Sequence, residues 1–280
     1  MVAISPSSTD TRPRAAKPNE GAGDEIIALS RGLTLLRRVA SADAPISNRE
    51  LAELTGIPKP TVSRITATLV GAGFLFQLQD SERFVLTASV LELSNGFLRN
   101  FDIRARARPL LIDLAERTSL SVHLMARDRL DMVVIETVRP RSAVLVSRLE
   151  VGSRVDLART AVGRAYLAAL SETERREVVA GLQAASGDDW PHIHARLATS
   201  LEETRTLGFS ISTGEWYSEL NAIAAGFVGP SGVRYAVNCG GAAHLCPREW
   251  LIDHAAPVLT ECIERIVQEI GGGPHQRLGD

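Results

Sequence analysis

The chain has 280 residues, 45% hydrophobic and 23% charged, which fits a globular protein too long for one ordinary core, so two domains are expected. No apolar run approaches the ~20 residues of a membrane-spanning helix, and the first twenty residues lack an apolar core behind a basic start, so no secretion signal is expected. A net charge of -2 excludes a chain that is basic throughout, so any contact with nucleic acid has to be local.

The Ser, Pro, Thr and Gly content of residues 1–23 predicts a disordered tail, with Arg12, Arg14 and Lys17 as its cations. Ile26, Leu29, Leu33, Leu36 and Val39 recur at helical spacing and predict a first helix over about 26–41. Asp43-Ala44-Pro45 ends it. Ser47 followed by Glu50 fits a capping box at the start of a second helix, with Leu51 and Leu54 toward the core. Gly56 suits a left-handed stop, and Pro58 and Pro60 are tolerated at the opening of a third helix, where backbone N–H groups lack partners anyway.

At ~100° per residue the third helix buries Val62, Ile65, Thr66, Leu69 and Val70. Pro60, Arg64, Ala67, Thr68 and Gly71 point the opposite way, flanked by Lys59, Thr61 and Ser63. The outward face is small, hydroxylated and cationic. Gly71 to Gly73 stops the helix, and F-L-F-Q-L-Q-D-S-E-R-F-V-L then alternates about the turn Asp80-Ser81-Glu82 as a hairpin. Two helices, a turn, a further helix and a hairpin make a winged helix-turn-helix. From Ile26 to Thr87, seven cations (Arg31, Arg37, Arg38, Arg49, Lys59, Arg64, Arg83) stand against five anions (Asp43, Glu50, Glu53, Asp80, Glu82).

Two linker helices are expected next, one over residues 87–100 and one from a capping Asp102 through Arg117. The period then changes to strands at 121–127, 130–138 and 143–149. Helices return at about 161–170, 173–184 and 191–207. Two strands (about 222–228 and 233–239) and a last helix, about 247–270, complete an α+β pattern.

Several segments together resemble the IclR family of bacterial transcriptional regulators. L-S-R-G-L-T-L-L looks like its first helix, L-A-E-L-T-G-I-P-K-P-T-V-S-R-I-T-A-T-L its recognition segment, G-F-L-F-Q-L-Q-D-S-E-R-F-V-L its wing, and R-T-A-V-G-R-A-Y-L-A-A-L its T-A-x-G-[RK]-A-x-L-A segment. The fold this implies is α+β, an N-terminal winged helix-turn-helix domain plus a C-terminal GAF-like effector-binding domain. The expected boundaries are 24–87 for the DNA-binding domain, 88–104 for a linker helix, 105–273 for the effector-binding domain and 274–280 for a tail. The partners implied are double-stranded operator DNA, a small effector of carboxylate type, and further copies of the chain in a homodimer or homotetramer. The setting is the cytoplasm, with no membrane partner and no cofactor.

On the DNA side, Arg64 is expected at a base edge and Thr61 and Thr68 at a thymine methyl or a phosphate. Lys59 and Ser63 are expected at phosphates, with Pro60 beside them. Ser47, Asn48 and Arg49 open the second helix toward a phosphate, and Arg83 is the minor-groove or backbone candidate in the wing. On the effector side, the resemblance implies that Thr160, Ala161, Val162 and Gly163 form a turn whose N–H groups take an oxygen, with Val144 and Ser147 as wall positions. It places Ser212 and Ala222 where the family has an acidic residue and a cysteine, Gly226 where it has proline, and Asn238 and Gly240 where it has serines. A larger or aromatic acid follows as an alternative to the usual small one. Arg148 and Arg159 are weighed as balancing charges.

Two other classes are weighed. G-P-S-G-V at 229–233 has Val233 where a nucleophile elbow needs glycine, Ser231 reads as a turn residue, and Glu215 and Glu219 have no further catalytic partner, so no enzyme is expected. The other class is a metal- or thiol-based sensor regulator, for which Cys239, His244, Cys246 and Cys262 lie in one region but match no regular zinc spacing. The three cysteines are expected as reduced, buried thiols, and His192 and His194 as surface residues.

Overall fold

The computed structural model describes residues 26–99, 102–141 and 149–271. The chain divides between Gly96 and Phe97 into two compact units.

The first unit is built on α1 (Ile27–Ala40), α2 (Asn48–Thr55) and α3 (Lys59–Gly71). Leu35, Val39, Leu51, Ile57, Val62, Leu75 and Phe84 form its core. The start of α2 is fixed by a complete capping box. The Ser47 hydroxyl accepts from the Glu50 amide, and the Glu50 carboxylate accepts from the Ser47 amide at 2.8 Å and the Ser47 hydroxyl at 2.7 Å. Gly56 ends α2 in the left-handed region, at φ 67°, which turns the chain into α3. The wing pairs β2 (Leu75–Gln77) with β3 (Arg83–Leu86), and Leu75 faces Leu86. A two-residue strand β1 (Ile46–Ser47) adds to the other edge of β3, which gives a three-stranded sheet. Two expectations fail here. Leu54 is 58% exposed and Val70 36% exposed, because the core closes on Leu51 and Val62 and leaves both beyond its rim. Helix α4 (Val90–Arg99) carries the chain across the division between the units.

The second unit is a six-stranded antiparallel sheet made of β4 (Ser121–Asp128), β5 (Asp131–Val138), β6 (Arg154–Asp156), β7 (Ser210–Thr213), β8 (Leu220–Val228) and β9 (Arg234–Ala242). Their order is β6-β5-β4-β9-β8-β7. Alternation along the strands separates two cores. Val122, Leu124, Ile223, Ala225, Phe227, Val237 and Cys239 face α5 (Asp102–Thr118) and α10 (Ala256–Ile270). Met125, Val134, Ala222, Ala224 and Ala236 face α6 (Ala161–Ala168), α7 (Glu172–Ser186) and α8 (Trp190–Leu207). A bulge interrupts β5: Leu124 faces Glu136 while Met125 faces Val134, so Ile135 is the extra residue. Glu136 thus turns toward α5, where Arg104 (3.1 Å) and Arg108 (2.7 Å) neutralise it at 5% exposure.

Of the strand expected at 143–149, residues 143–148 lie outside the described set. β6 and β7 were not expected; both are short. The last helix is interrupted. A short α9 (Arg248–Trp250) runs into a π turn at Leu251–Ala255 before α10, because Pro257 brings no N–H and its ring crowds the turn behind it. No described helix is long and apolar enough to cross a membrane.

Replacing Ser47 by Ala removes one acceptor from the first turn of α2, so a loss of about 1 kcal/mol is expected in the unfolding transition of the first unit. Ser47→Thr retains most of it. Urea titration followed by circular dichroism measures both.

Candidate functional site

The first unit presents α3 outward. Lys59, Pro60, Arg64 and Thr68 are exposed, and Thr61 and Ser63 are half-buried. The Thr68 hydroxyl donates back to the Arg64 carbonyl at 2.9 Å. Helix α3 is held from beneath by buried Val62 and by Thr66, whose hydroxyl donates to the Asn48 side-chain oxygen at 2.9 Å. Several residues read from sequence as pointing toward DNA are therefore engaged inside the module. Asn48 ties α2 to α3. Ser47 caps α2. Arg83 donates to the Pro45 carbonyl at 2.7 Å and to both oxygens of Glu50, at 3.0 and 3.2 Å, so its guanidinium is committed to joining wing and helix. The Ser47 hydroxyl and amide, with Arg83 adding its charge, hold the Glu50 carboxyl below the usual carboxylate range. Arg49 pairs with Glu53 at 2.9 Å in a solvated i,i+4 contact of small value.

In the second unit a cavity lies between the sheet and the start of α6. Ser121, His123 and Met125 of β4, Ser212 of β7, Ala222 of β8, and Asn238, Gly240 and Gly241 of β9 line its sheet side. Thr160, Ala161 and Val162 line its helix side, and Leu149, Val155, Trp216 and Leu220 complete the wall. Seven of the residues read from sequence thus come together here. Val144 and Ser147 lie outside the described residues, and so does Arg148. Gly163 is not a wall residue, and its absence from the lining has a steric cause. A Cβ there would sit 2.0 Å from the Leu157 carbonyl oxygen, so the glycine lets α6 start hard against the preceding loop. Gly226 does the same from the sheet, where a Cβ would come within 2.6 Å of the Ala165 carbonyl.

The loop into α6 is closely braced. Asp156 accepts from the amides of Ala158 and Arg159, both at 2.7 Å, and the Thr160 hydroxyl donates to the Asp156 carbonyl at 2.6 Å. Thr160 then caps α6 by accepting from the Gly163 amide at 3.2 Å. The amides of Ala161 and Val162 are first-turn groups with no acceptor inside the helix, and both residues line the cavity. Arg164, 2% exposed, forms a two-pronged contact with Glu215 at 3.0 and 2.6 Å and also donates to the Ala158 carbonyl at 2.8 Å. That pair anchors the turn that carries Trp216. Arg159 lies outside, between Asp156 (3.8 Å) and Asp189 (3.6 Å).

None of the described lining residues carries a charge. The polar ones include His123 and Asn238, directly opposite each other on β4 and β9. Both ring nitrogens of His123 and the Asn238 side-chain oxygen are buried without a hydrogen bond. Each such group costs ~1–3 kcal/mol when nothing satisfies it. Burial, then the positive charge of Arg139, lowers the imidazole from 6.5 to about 4, and the nearby Asn238 amide opposes this only in part. Sequence reasoning missed His123, Ser121, Met125 and Trp216. The first three were readable as one face of an alternating strand, but the turn holding Trp216 had no signal.

The three cysteines are buried free thiols, and Cys239 faces the apolar core away from the cavity. Burial raises all three, Cys262 to about 12, opposite to the shift that makes a thiol reactive. No metal-type cluster of His, Cys, Asp and Glu is found among the described residues. His192 and His194 are exposed on α8.

The unfolded chain takes up the His123 proton first, at its ordinary 6.5, whereas the folded chain resists it down to about 4. This group's contribution is therefore complete above its unfolded value and falls with decreasing pH, by roughly 3 kcal/mol in all. The His123→Phe variant is expected to flatten that part of a pH–stability profile measured by urea titration.

Two family models match the chain: the IclR helix-turn-helix domain over residues 28–79, and the bacterial transcriptional regulator IclR C-terminal domain over residues 95–267. The HTH-type transcriptional regulator TsaQ1/TsaQ2 of Comamonas testosteroni is 31% identical over 245 residues, 86% of this chain and 87% of that one. An IclR family transcriptional regulator from Brucella abortus aligns with a TM-score of 0.78 and 36% identity, over 89% of this chain and 96% of that one. An IclR homolog from Microbacterium hydrocarbonoxydans, solved in complex with 4-hydroxybenzoate, shares the fold with a TM-score of 0.68 at 17% identity, over 87% and 99% of the two chains. Such relatives are regulators of transcription, not enzymes. The chain belongs to the IclR family of bacterial transcriptional regulators, with a helix-turn-helix unit for DNA and a C-terminal effector-binding unit.

Proposed function

We propose that this regulator controls a catabolic operon in the cytoplasm and is switched by a small organic acid bound between α6 and the sheet. The observation that carries the reading is the cavity at the α6 N-terminus. Two first-turn amides with no acceptor inside the helix and the positive end of the helix meet there, among described lining residues that carry no charge, which favours one carboxylate. Apolar walls from Met125, Val155, Trp216 and Leu220 suit an aromatic or branched body. The complex of the Microbacterium homolog with 4-hydroxybenzoate supports this ligand type.

On the DNA side, α3 enters the major groove. Arg64 contacts a guanine edge, Thr61 and Thr68 a thymine methyl or phosphate, and Lys59 and Ser63 phosphates, with Pro60 at the rim. The Asn48 and Arg49 amides at the start of α2 take another phosphate, the Ser47 amide being bonded to Glu50. Arg83 acts there by holding the wing in place. An acid alters operator affinity by binding one arrangement of the chain better than another, and α4 and α5 carry the change.

A homodimer or homotetramer is part of this reading. Ile26, just before α1, and Leu29 and Leu33 within it lie 67%, 59% and 48% exposed at helical spacing, an apolar stripe that a second copy covers. The double variant Leu29→Glu with Leu33→Glu is expected to reduce the assembly in analytical ultracentrifugation. An unchanged mass sinks this face as the interface.

The operator is obtained by selecting duplexes from a random pool with the full-length protein, and its affinity is read by fluorescence anisotropy. Arg64→Ala is expected to weaken it by about 10- to 100-fold and to relax the choice of one base pair. Saturating benzoate or a hydroxybenzoate is expected to shift the wild-type affinity. Equal affinities with and without every acid tried reject the switch.

A further inference from the structure

Buried polar side-chain atoms without any hydrogen-bond partner are few among the described residues, and four of the six lie in one row of the sheet. They are Thr137 Oγ1, both ring nitrogens of His123, Asn238 Oδ1, Arg139 Nε and, on the far side of the sheet, Arg104 Nε. Thr137, His123 and Asn238 face one another in a single row across β5, β4 and β9. His123 and Asn238 line the cavity directly. A row of this kind, 5% exposed at His123 and 8% at Asn238, is costly in an empty protein and is satisfied by something placed against it.

We infer that His123 and Asn238 read a neutral hydroxyl on the effector, which makes the ligand class a hydroxylated organic acid rather than a bare one. This rests on the carboxylate reading above. The row has the capacity a hydroxyl needs. A neutral imidazole offers one N–H and one lone pair, the Asn238 oxygen offers lone pairs, and a hydroxyl both gives and takes. Burial keeps the imidazole neutral, since its charged form appears only near 4. A second carboxylate fits poorly, because it gives nothing to the Asn238 oxygen. Among the described residues, Arg139, whose charge acts on His123, is paired with Glu150 at 3.2 Å and with the Leu149 carbonyl. A purely apolar substituent leaves the whole row unsatisfied.

The test is isothermal titration of the full-length protein with benzoate, 3-hydroxybenzoate and 4-hydroxybenzoate. At least one hydroxylated acid is expected to bind about tenfold more tightly than benzoate. Asn238→Leu and His123→Phe are each expected to bring that ratio below about threefold. The ratio, not absolute affinity, separates recognition from a structural role, and the wild-type comparison stands even if one variant fails to fold. Equal binding of benzoate and both hydroxybenzoates overturns the inference alone, as does a hydroxyl preference that survives in both variants. Absence of binding by all three acids overturns the carboxylate reading and this inference with it.

Discussion

Backbone contact between α6 and its surroundings is the constraint on which the effector unit turns. Helix and sheet normally stand apart by the depth of two side-chain layers. Here Gly163 lets the first turn of α6 press on the loop before it, and Gly226 lets the helix lie against β8 without an intervening side chain. The N-terminal amides are thereby brought down to the sheet, above a floor that alternation has supplied with Ser121, His123 and Asn238. A Cβ at either glycine lifts the helix and separates the two halves of the cavity. The Arg164–Glu215 pair closes the third side by fastening the Trp216 turn to the same helix. A buried pair of this kind adds little net stability against apolar replacements, but removal of one partner strands a charge. Its value lies in fixing where Trp216 stands.

The winged-helix unit uses charge in the opposite way. Its internal polar groups are consumed by one another, with Glu50 at the centre taking hydrogen bonds from Ser47 and Arg83. What remains outward on α3 is a surface of one cation-bearing face with small neighbours, which can approach a duplex closely. The distinction matters because nearly equal numbers of acids and bases in this stretch conceal it. Net charge describes the sequence, whereas the potential at the groove depends on which charges are already paired.

Much of this was legible from the residues. The capping box, the Gly56 stop and the period of α3 are local signals, and local signals name elements well because the physics involved spans one turn. The errors arise where distant packing decides. Leu54 and Val70 have the right spacing for burial, yet the small core closes before reaching them. Arg83 looks like a free wing cation because its partner Glu50 is 33 residues away. β1, β6 and β7 are two to four residues long and exist as strands only because a neighbour offers an edge. In the cavity, the T-A-V-G turn and positions 212, 222, 238 and 240 could be carried over from the family pattern. His123 has no counterpart in that pattern; alternation groups it with Ser121 and Met125, but not with Asn238, which pairing across β4 and β9 brings opposite it.

The extra residue in β5 has a bearing on the chamber that its position in the fold does not advertise. In an uninterrupted strand continuing from Val134, the side chain at 136 would fall on the α6 side and that at 137 on the α5 side. The Glu136 carboxylate would then stand on the face opposite Arg104 and Arg108, without the two cations that neutralise it. The bulge thus lets Ile135 and Glu136 share the α5 side and returns Thr137 to the face of His123.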